Sequence, residues 1–283
     1  MNAAAFSIRR MERNEIDLAI DWAEAEGWNP GVHDAECFYA ADPNGFLIGL
    51  LDDKPVGMVS AVAYGESYGF MGFYMVKPEV RNRTYGVQLW DAGLRYLENR
   101  CIGLDSVRPD LVSHKKPEFK PAYTNYRFRW TKGERFVQSS EISEVSQVPF
   151  SLVTVYDRKV FGFSRENFLK CWISRPGSRA LGIIRDDELA AYGVVRQCRE
   201  GFKIGPLFAD NAQYARAVFE ALTREVKPGA NVYLDTPERN PEAVRIAQSY
   251  GITEVFRTTR MYNGEEPAVP LDKWFGVTSF ELG

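Results

Sequence analysis

The sequence predicts an α/β protein, an α+β mixed sheet with flanking helices, built from two similar halves. Three observations predict it. β-prone apolar runs alternate with helical apolar stripes, short turn-rich connectors join consecutive runs, and the order of elements in the first half returns in the second. The 283 residues suffice for two ordinary domains, and 45% hydrophobic with 26% charged residues is typical of a globular chain.

The first half contains a predicted meander of strands between helices. Its elements are a strand at 6–9, helices at 16–23 and 34–39, strands at 45–51, 56–64 and 68–76, a helix at 87–97, a strand at 101–107, a helix at 117–125 and a strand at 126–130. Alternation predicts the first strand, and apolar stripes predict the long helices. The turn signals at 27–31, 52–55 and 65–67 separate the elements, and Asp34 is the expected N-cap of its helix.

A basic loop, Arg81 to Gly86, joins the strand at 68–76 to the helix that follows it. Free backbone N–H groups and the positive end of the helix dipole point into such a loop, so it predicts an anion site. Arg81 and Arg83 add positive charge. The alternative is an ordinary solvated loop, because loops with two arginines are common.

Composition excludes several classes of function. The formal net charge is −3, which disfavours nucleic acid and anionic membrane as partners, and no apolar run reaches the roughly 20 residues of a membrane helix. The four cysteines are far apart and there are two histidines, so no metal site is expected. We expect a cytoplasmic protein whose cysteines are reduced and buried.

Residues 5–130 resemble the GNAT N-acetyltransferase family. The stretch Val76-Lys77-Pro78-Glu79-Val80-Arg81 is similar to the end of the family's fourth strand, and Arg81, Thr84 and Gly86 fall on its pyrophosphate-loop positions, with Thr84 in place of a glycine. The resemblance implies acetyl-CoA as acyl donor. It implies that the donor is bound by Met75, Val76, Arg81, Asn82, Arg83, Thr84, Tyr85 and Gly86.

The same resemblance implies catalytic residues. The segment Tyr123 to Phe128 is similar to the family's last-helix motif, so Tyr123 is the implied acid that protonates the departing thiolate, with Tyr126 as second choice and Arg127 in place of a glycine. The fourth strand contains no carboxylate, so Glu66 at its start is the proposed base. His33, Asp34 and Glu36 are alternatives. The family's acceptor site implies substrate contacts from Trp28, Asn29, His33 and Asp34.

The second half repeats the plan but lacks the parts that carry chemistry. Its loop at 207–211 has no arginine or glycine and contains Asp210, and Ala247 stands where the tyrosine is expected. The arrangement resembles tandem proteins in which a GNAT domain precedes a divergent GNAT-like domain. The expected limits are a catalytic domain at 1–138, a linker at 139–150 and a non-catalytic domain at 151–283.

We therefore expect an acetyl-CoA-dependent N-acetyltransferase that acts on the primary amine of a small molecule by direct transfer. Eight acidic residues between Glu12 and Glu36, with Trp22 and Trp28 nearby, favour a cationic acceptor. Two alternatives stay open: a sensor that binds CoA or an effector without turnover, and a protein lysine acetyltransferase. A homodimer is compatible with each of them.

Overall fold

The computed structural model describes residues 5–81, 83–113, 117–132, 142–224 and 226–283. The strands are β1 (Phe6–Arg10), β2 (Phe46–Leu51), β3 (Lys54–Tyr64), β4 (Tyr68–Val76), β5 (Cys101–Ser106), β6 (Lys120–Thr131), β7 (Ser143–Glu144), β8 (Ser178–Arg185), β9 (Glu188–Gln197), β10 (Phe202–Ala209), β11 (Asn231–Pro237), β12 (Thr253–Tyr262) and β13 (Trp274–Gly276). The helices are α1 (Ile16–Ala25), α2 (Asp34–Ala41), α3 (Tyr85–Tyr96), α4 (Pro109–Ser113), α5 (Phe150–Phe161), α6 (Glu166–Trp172), α7 (Ala212–Arg224) and α8 (Pro241–Ser249). Short 3₁₀ helices span Arg13–Glu15, Pro78–Val80, Val145–Gln147 and Leu271–Lys273.

The described strands form one continuous mixed sheet that contains both halves. Its order is β1-β2-β3-β4-β5-β12-β6-β11-β10-β9-β8-β7, and β13 pairs with β10 outside this path. The meander predicted from the turn-rich connectors is confirmed, since β2, β3 and β4 pair antiparallel in sequence order. The mixed α/β class is also confirmed, because β4 and β5 pair in parallel within an otherwise mostly antiparallel sheet.

The two halves exchange their last strands at the centre of the sheet. β12, from the end of the chain, pairs with β5 of the first half, and β6 pairs with β11 of the second half. β6 and β12 also pair with each other, over ten residues of β12. Each half of the sheet is thus completed by a strand from the other half of the chain. The predicted linker, residues 139–150, is described only from residue 142, and β7 already forms there.

The helix predicted over residues 117–125 is wrong. Residues 109–113 form the short helix α4, and residues 120–131 form β6 instead. Alternate residues of β6 are buried, including Tyr123, Asn125 and Arg127, which is the two-residue period of a strand. The motif similarity favoured a helix here, but the local pattern Lys-Pro-Ala-Tyr-Thr-Asn-Tyr-Arg-Phe is that of a strand.

Three apolar clusters hold the sheet and helices together. One is shared by both halves and contains residues of α1, α2, α5 and α6 with the inner face of the sheet. A second lies under α3 in the first half, and a third lies under α7 and α8 in the second. Burial of a shared core couples the two halves by the hydrophobic effect. None of the helices in the described ranges is both long and apolar enough to cross a membrane.

A disulfide joins the halves within the shared core. Cys37 on α2 and Cys171 on α6 are bonded, with Cα atoms 5.2 Å apart. The expectation that all four cysteines are reduced is therefore wrong for this pair, which the 134-residue separation in sequence concealed. Cys101 and Cys198 have free thiols, and burial raises the pKa of both.

Candidate active site

A cavity of about 540 Å³ opens where β4 and β5 separate. The two strands pair from Tyr68 and Cys101 as far as Met71 and Leu104, and the pairing then stops. Beyond Met71, the edge of β4 that faces β5 pairs with no strand of the described residues, and it lines the cavity through Val76. Such an edge offers backbone donors and acceptors to an extended ligand.

A bulge interrupts β4 at the same place. In the pairing with β3, Gly72 faces Ser60 and Met75 faces Met58, so two residues of β4, Phe73 and Tyr74, stand opposite one of β3. Phe73 has a φ of 43°, a left-handed conformation that a phenylalanine rarely adopts. Backbone strain of this kind is concentrated at functional sites, and a bulge leaves backbone groups outside the ladder.

The N-terminus of α3 lies at the end of the free β4 edge. Gly86 lines the cavity, and a Cβ atom there would lie 2.7 Å from the Tyr74 hydroxyl oxygen, so glycine permits this close packing. Thr84 is the residue before the helix, with φ −71° and ψ −6°. That conformation suits any residue, so threonine in place of the family's glycine introduces no strain. The first-turn amides of α3 remain available to an anion.

The two loop arginines differ in their surroundings. The Arg81 side chain donates a hydrogen bond to the Val76 carbonyl oxygen (2.8 Å) and pairs with Glu26 on the other side of the cavity. Arg83 also lines the cavity, is exposed, and forms no ion pair with any residue in the described ranges. Its charge is therefore the one left for an anionic ligand, whereas that of Arg81 is already compensated.

The predicted donor-binding residues fall mainly, but not completely, around this cavity. Met75, Val76, Arg81, Arg83 and Gly86 line it. Thr84 and Tyr85 do not, and the Tyr85 ring stacks on Phe6 with the centroids 4.5 Å apart. Asn82 lies outside the described residues.

The structure does not bring the two predicted catalytic residues to the cavity. Tyr123 is on β6 with a side chain buried in the shared core, and Arg260 stacks on its ring at 5.8 Å. Burial raises its pKa well above the usual value. Glu66 is exposed in the turn before β4, at the end of that strand remote from Val76. Tyr126, the second choice of acid, donates a hydrogen bond to Glu238 (3.3 Å) and does not line the cavity.

Of the four predicted acceptor contacts, the structure brings Trp28 to the cavity. Asn29 instead joins the halves, through hydrogen bonds of its amide with the backbone of Glu200 (both 2.9 Å). His33 is exposed at the start of α2. Asp34 is buried below the Trp28 turn and accepts a hydrogen bond from the Gly31 amide (2.9 Å).

Asp34 belongs to a buried ion cluster between the halves. Its carboxylate pairs with Arg175 at 2.6 Å and with Arg196 at 3.3 Å, and both arginines pack on Trp172. Burial alone would raise the pKa of Asp34, but the two guanidinium groups outweigh it and lower the pKa to about 2. A carboxylate held in this way has a structural role and is a poor proton acceptor.

Several residues that line the cavity were not predicted from the sequence. Glu281 and Phe280 reach it from the last residues of the chain, and Phe256 reaches it from β12. They enter through the strand exchange, since β12 and the C-terminal segment come from the second half but pack against the first. No motif marks these positions, and contacts such as those of β12 with β5 and of Glu281 with Gly72 join segments too distant in sequence to be visible in one sequence.

The corresponding position of the second half is filled by the chain itself. β10 and β11 pair in parallel at Phe202–Ile204 and then separate, as β4 and β5 do. β13 occupies that gap and pairs with Leu207 and Phe208 of β10. Asp210, after β10, forms an ion pair with Lys273 at 2.7 Å. The space that holds the cavity in the first half is closed by protein in the second.

Comparison with known proteins identifies the family. Residues 13–115 match a family model described as "Acetyltransferase (GNAT) family", and residues 153–276 match one described as "Acetyltransferase (GNAT) domain". Holothin acyltransferase from Pseudoalteromonas sp. (strain SANK 73390) is 30% identical over 269 residues, which cover 95% of this chain and 92% of that protein. The chain belongs to the GNAT acetyltransferase family, with two such domains in tandem, and it is an acyltransferase.

Solved structures have the same fold. A putative acetyltransferase from Pyrococcus horikoshii superposes with a TM-score of 0.83 at 23% identity, covering 100% of this chain and 98% of that one. A tandem GNAT protein from the clavulanic acid biosynthesis pathway superposes with a TM-score of 0.63 at 13% identity, covering 93% and 100%. At these identities the likeness concerns the fold.

Proposed function

We propose that this protein is an acetyl-CoA-dependent N-acetyltransferase that acetylates the primary amine of a small molecule by direct transfer. The observation that carries the proposal is the free edge of β4, which runs from the bulge at Phe73 to the helix N-terminus at Gly86. The family match supports the acyl donor, and the closed gap in the second half supports a single catalytic unit per chain.

The residues present fit acetyl-CoA along this edge. The first-turn amides of α3 and the Arg83 guanidinium would hold the pyrophosphate, as charge-assisted hydrogen bonds to backbone N–H groups and arginine are strong. The backbone of Met75 and Val76 would pair with the pantetheine arm, which would replace Arg81 as the partner of the Val76 carbonyl oxygen. This route leaves the thioester next to the bulge, where a backbone amide outside the ladder can polarise its carbonyl.

The reaction would be one displacement. The amine nitrogen attacks the thioester carbonyl carbon, the N–C bond forms, the C–S bond breaks, and the electron pair leaves on sulfur. The nitrogen loses one proton and the thiolate gains one. Because Tyr123 is outside the cavity, the hydroxyls of Ser106 and Thr258, which line it, are better placed to supply the second proton, whereas the Tyr74 hydroxyl lies beside Gly86 at the pyrophosphate end.

The shape of the cavity favours a small acceptor over a protein. Trp28 closes one side from the turn before α2, and the segment 277–283 from the second half closes another. A lysine on a protein surface would have to pass between these two walls. The Pseudoalteromonas relative is a holothin acyltransferase by name, which supports the same reaction class.

The test is free-thiol release from acetyl-CoA over a panel of polyamines, amino sugars, apolar amines and amino acids. Release of CoA that depends on an amine, with the acetylated amine detected by mass spectrometry, supports the proposal. A protein that binds acetyl-CoA but never releases thiol is a sensor instead.

Donor binding is tested by Arg83→Ala, with Arg95→Ala as the matched control because Arg95 is exposed in the last turn of α3. Loss of an ionic contact of about 1 kcal/mol predicts a roughly five-fold higher KM for acetyl-CoA. An unchanged KM in Arg83→Ala would remove this residue from the donor site.

A further inference from the structure

The segment 277–283 carries one carboxylate, that of Glu281, directly onto β4. The Glu281 side chain is buried and lines the cavity, yet its carboxylate forms no ion pair or hydrogen bond with the described residues. A buried carboxylate is normally paired, because its desolvation is costly. The lack of a partner therefore points to a ligand.

The structure holds this segment tightly on both sides of Glu281. The Val277 amide donates a hydrogen bond to the Asp235 carbonyl oxygen (2.7 Å), and the Leu282 carbonyl oxygen accepts one from the Tyr64 hydroxyl (2.7 Å). The Phe280 ring packs under the Arg127 guanidinium at 4.8 Å. The position of Glu281 is thus set by the fold and not by an exposed tail.

Gly72 provides the space that brings Glu281 next to the bulge. A Cβ atom at Gly72 would lie 2.1 Å from the Glu281 carbonyl oxygen, closer than any side chain allows. Gly72 directly precedes Phe73, the strained residue of β4. The backbone of Glu281 therefore lies against the stretch of β4 where the proposed donor presents its thioester, and its side chain lines the same cavity.

The surroundings of Glu281 define what it can bind. Trp28, Phe73, Phe256 and Phe280 line this end of the cavity with aromatic rings. Arg127 on β6 and Arg196 on β9 are near enough to interact with the Glu281 charge, but Arg127 is paired with Asp235 and Arg196 with Asp34. Glu281 is left as the charge that faces the space between the rings.

We infer that Glu281 binds the amine of the acceptor and takes its proton as the N–C bond forms, and that the acceptor is a small primary amine with an apolar body and no carboxylate near the amine. This inference rests on the proposed function. The carboxylate accepts a hydrogen bond from the amine N–H and so directs the nitrogen lone pair to the thioester. Once bonded to the carbonyl carbon, the nitrogen is acidic and passes its proton to Glu281. An acceptor with its own carboxylate is repelled by the same charge.

The experiment compares matched acceptors on the wild type and on variants of Glu281. The acceptor pairs are benzylamine with phenylglycine, phenethylamine with phenylalanine, and isoamylamine with leucine, each assayed for CoA release. The variants are Glu281→Gln, which keeps the size of the side chain, and Glu281→Asp, which keeps the charge. Glu188→Gln, at the exposed first residue of β9, is the control.

We expect the wild type to favour the amine of a pair over the amino acid by at least ten-fold in kcat/KM. Glu281→Gln should lower kcat/KM for the amine by about 10²-fold, the usual worth of a positioned base, with an unchanged Kd for acetyl-CoA by calorimetry. Glu281→Asp should keep part of the activity, and it decides the case if the Gln variant is unfolded.

Three results would overturn the inference, and they can be told apart. If the wild type turns over and Glu281→Gln or Glu281→Asp is equally active, Glu281 has no role in the reaction. The proposed function then stays intact. If the amine and the amino acid of a pair have equal kcat/KM, the acceptor is not restricted to amines without a carboxylate. A wild type that binds acetyl-CoA and releases no thiol with any acceptor overturns the proposed function and this inference together.

Discussion

Asp34 shows how a residue type with catalytic potential is used for structure. The sequence placed it beside Trp28 in the predicted acceptor site, and a lone carboxylate there was a reasonable base. In the fold it is fully buried and joined to Arg175 and Arg196, which belong to the second half. The chemistry of a side chain follows from its neighbours, and these neighbours are about 140 to 160 residues away in sequence.

The Asp34 cluster predicts how stability depends on pH. The pKa of Asp34 is lowered from 3.8 to about 2 in the folded state, so its stabilisation is present above about pH 4 and is lost as the pH falls toward 2. The shift corresponds to about 2 kcal/mol. Urea unfolding at pH 5 and pH 2.5 should show that the stability difference between wild type and Asp34→Asn shrinks by about two thirds of this amount, because the folded-state carboxylate is still partly ionised at pH 2.5. A pH-independent difference would contradict the cluster, and Asp17→Asn on the exposed face of α1 is the control.

Tyr123 provides a second residue test. Its hydroxyl is in the core and not in the cavity, so Tyr123→Phe should leave kcat within about two-fold of the wild type, whereas loss of a general acid typically costs at least 10²-fold. Steady-state CoA release decides between these results. A hundred-fold loss of kcat in a folded Tyr123→Phe protein would restore the acid role that the motif implied.

At the scale of elements, β13 and the segment after it connect the two sites. β13 fills the gap between β10 and β11 in the second half, and the chain then crosses to β4 of the first half. One segment thus closes one GNAT gap and supplies a wall to the other. The second half therefore has a structural role in the first site, although it has no phosphate loop of its own.

The link between α2 and α6 gives an element-scale prediction. With Cys37 bonded to Cys171, unfolded protein without reductant should expose two thiols to a thiol reagent and four after reduction. A bond that closes so long a loop is expected to stabilise the folded state by about 2–4 kcal/mol, measured as the loss of unfolding free energy in Cys37→Ala. Four reactive thiols in purified, air-exposed protein would contradict the bond.

At the scale of the whole molecule, the strand exchange makes the halves interdependent. Both edges of β6 pair with strands beyond residue 138, β11 on one side and β12 on the other. We expect residues 1–138 and 151–283 to be unfolded or aggregated when produced separately, and the full chain to unfold in one cooperative transition. Circular dichroism melting tests this. A monomeric, cooperatively folded 1–138 fragment would contradict it and would restore the predicted domain limits.

The sequence predicted most elements but not how they meet. Local patterns were sufficient for the β2–β4 meander, for α3 and for the loop that starts it, because each signal lies within a few residues. The exchange of β6 and β12, the disulfide and the arrival of Glu281 depend on contacts between distant segments. The error at β6 has a different origin, since a motif outweighed a two-residue alternation that was present at Tyr123, Asn125 and Arg127.

Calorimetric titration of the full chain with acetyl-CoA tests most directly whether the donor binds at the free edge of β4. We expect one binding site per chain, because the β4 edge is open and the corresponding gap at β10 is filled. Arg83→Ala should weaken this binding, and Arg95→Ala should leave it unchanged. Two sites per chain, or no heat of binding at all, would contradict this expectation.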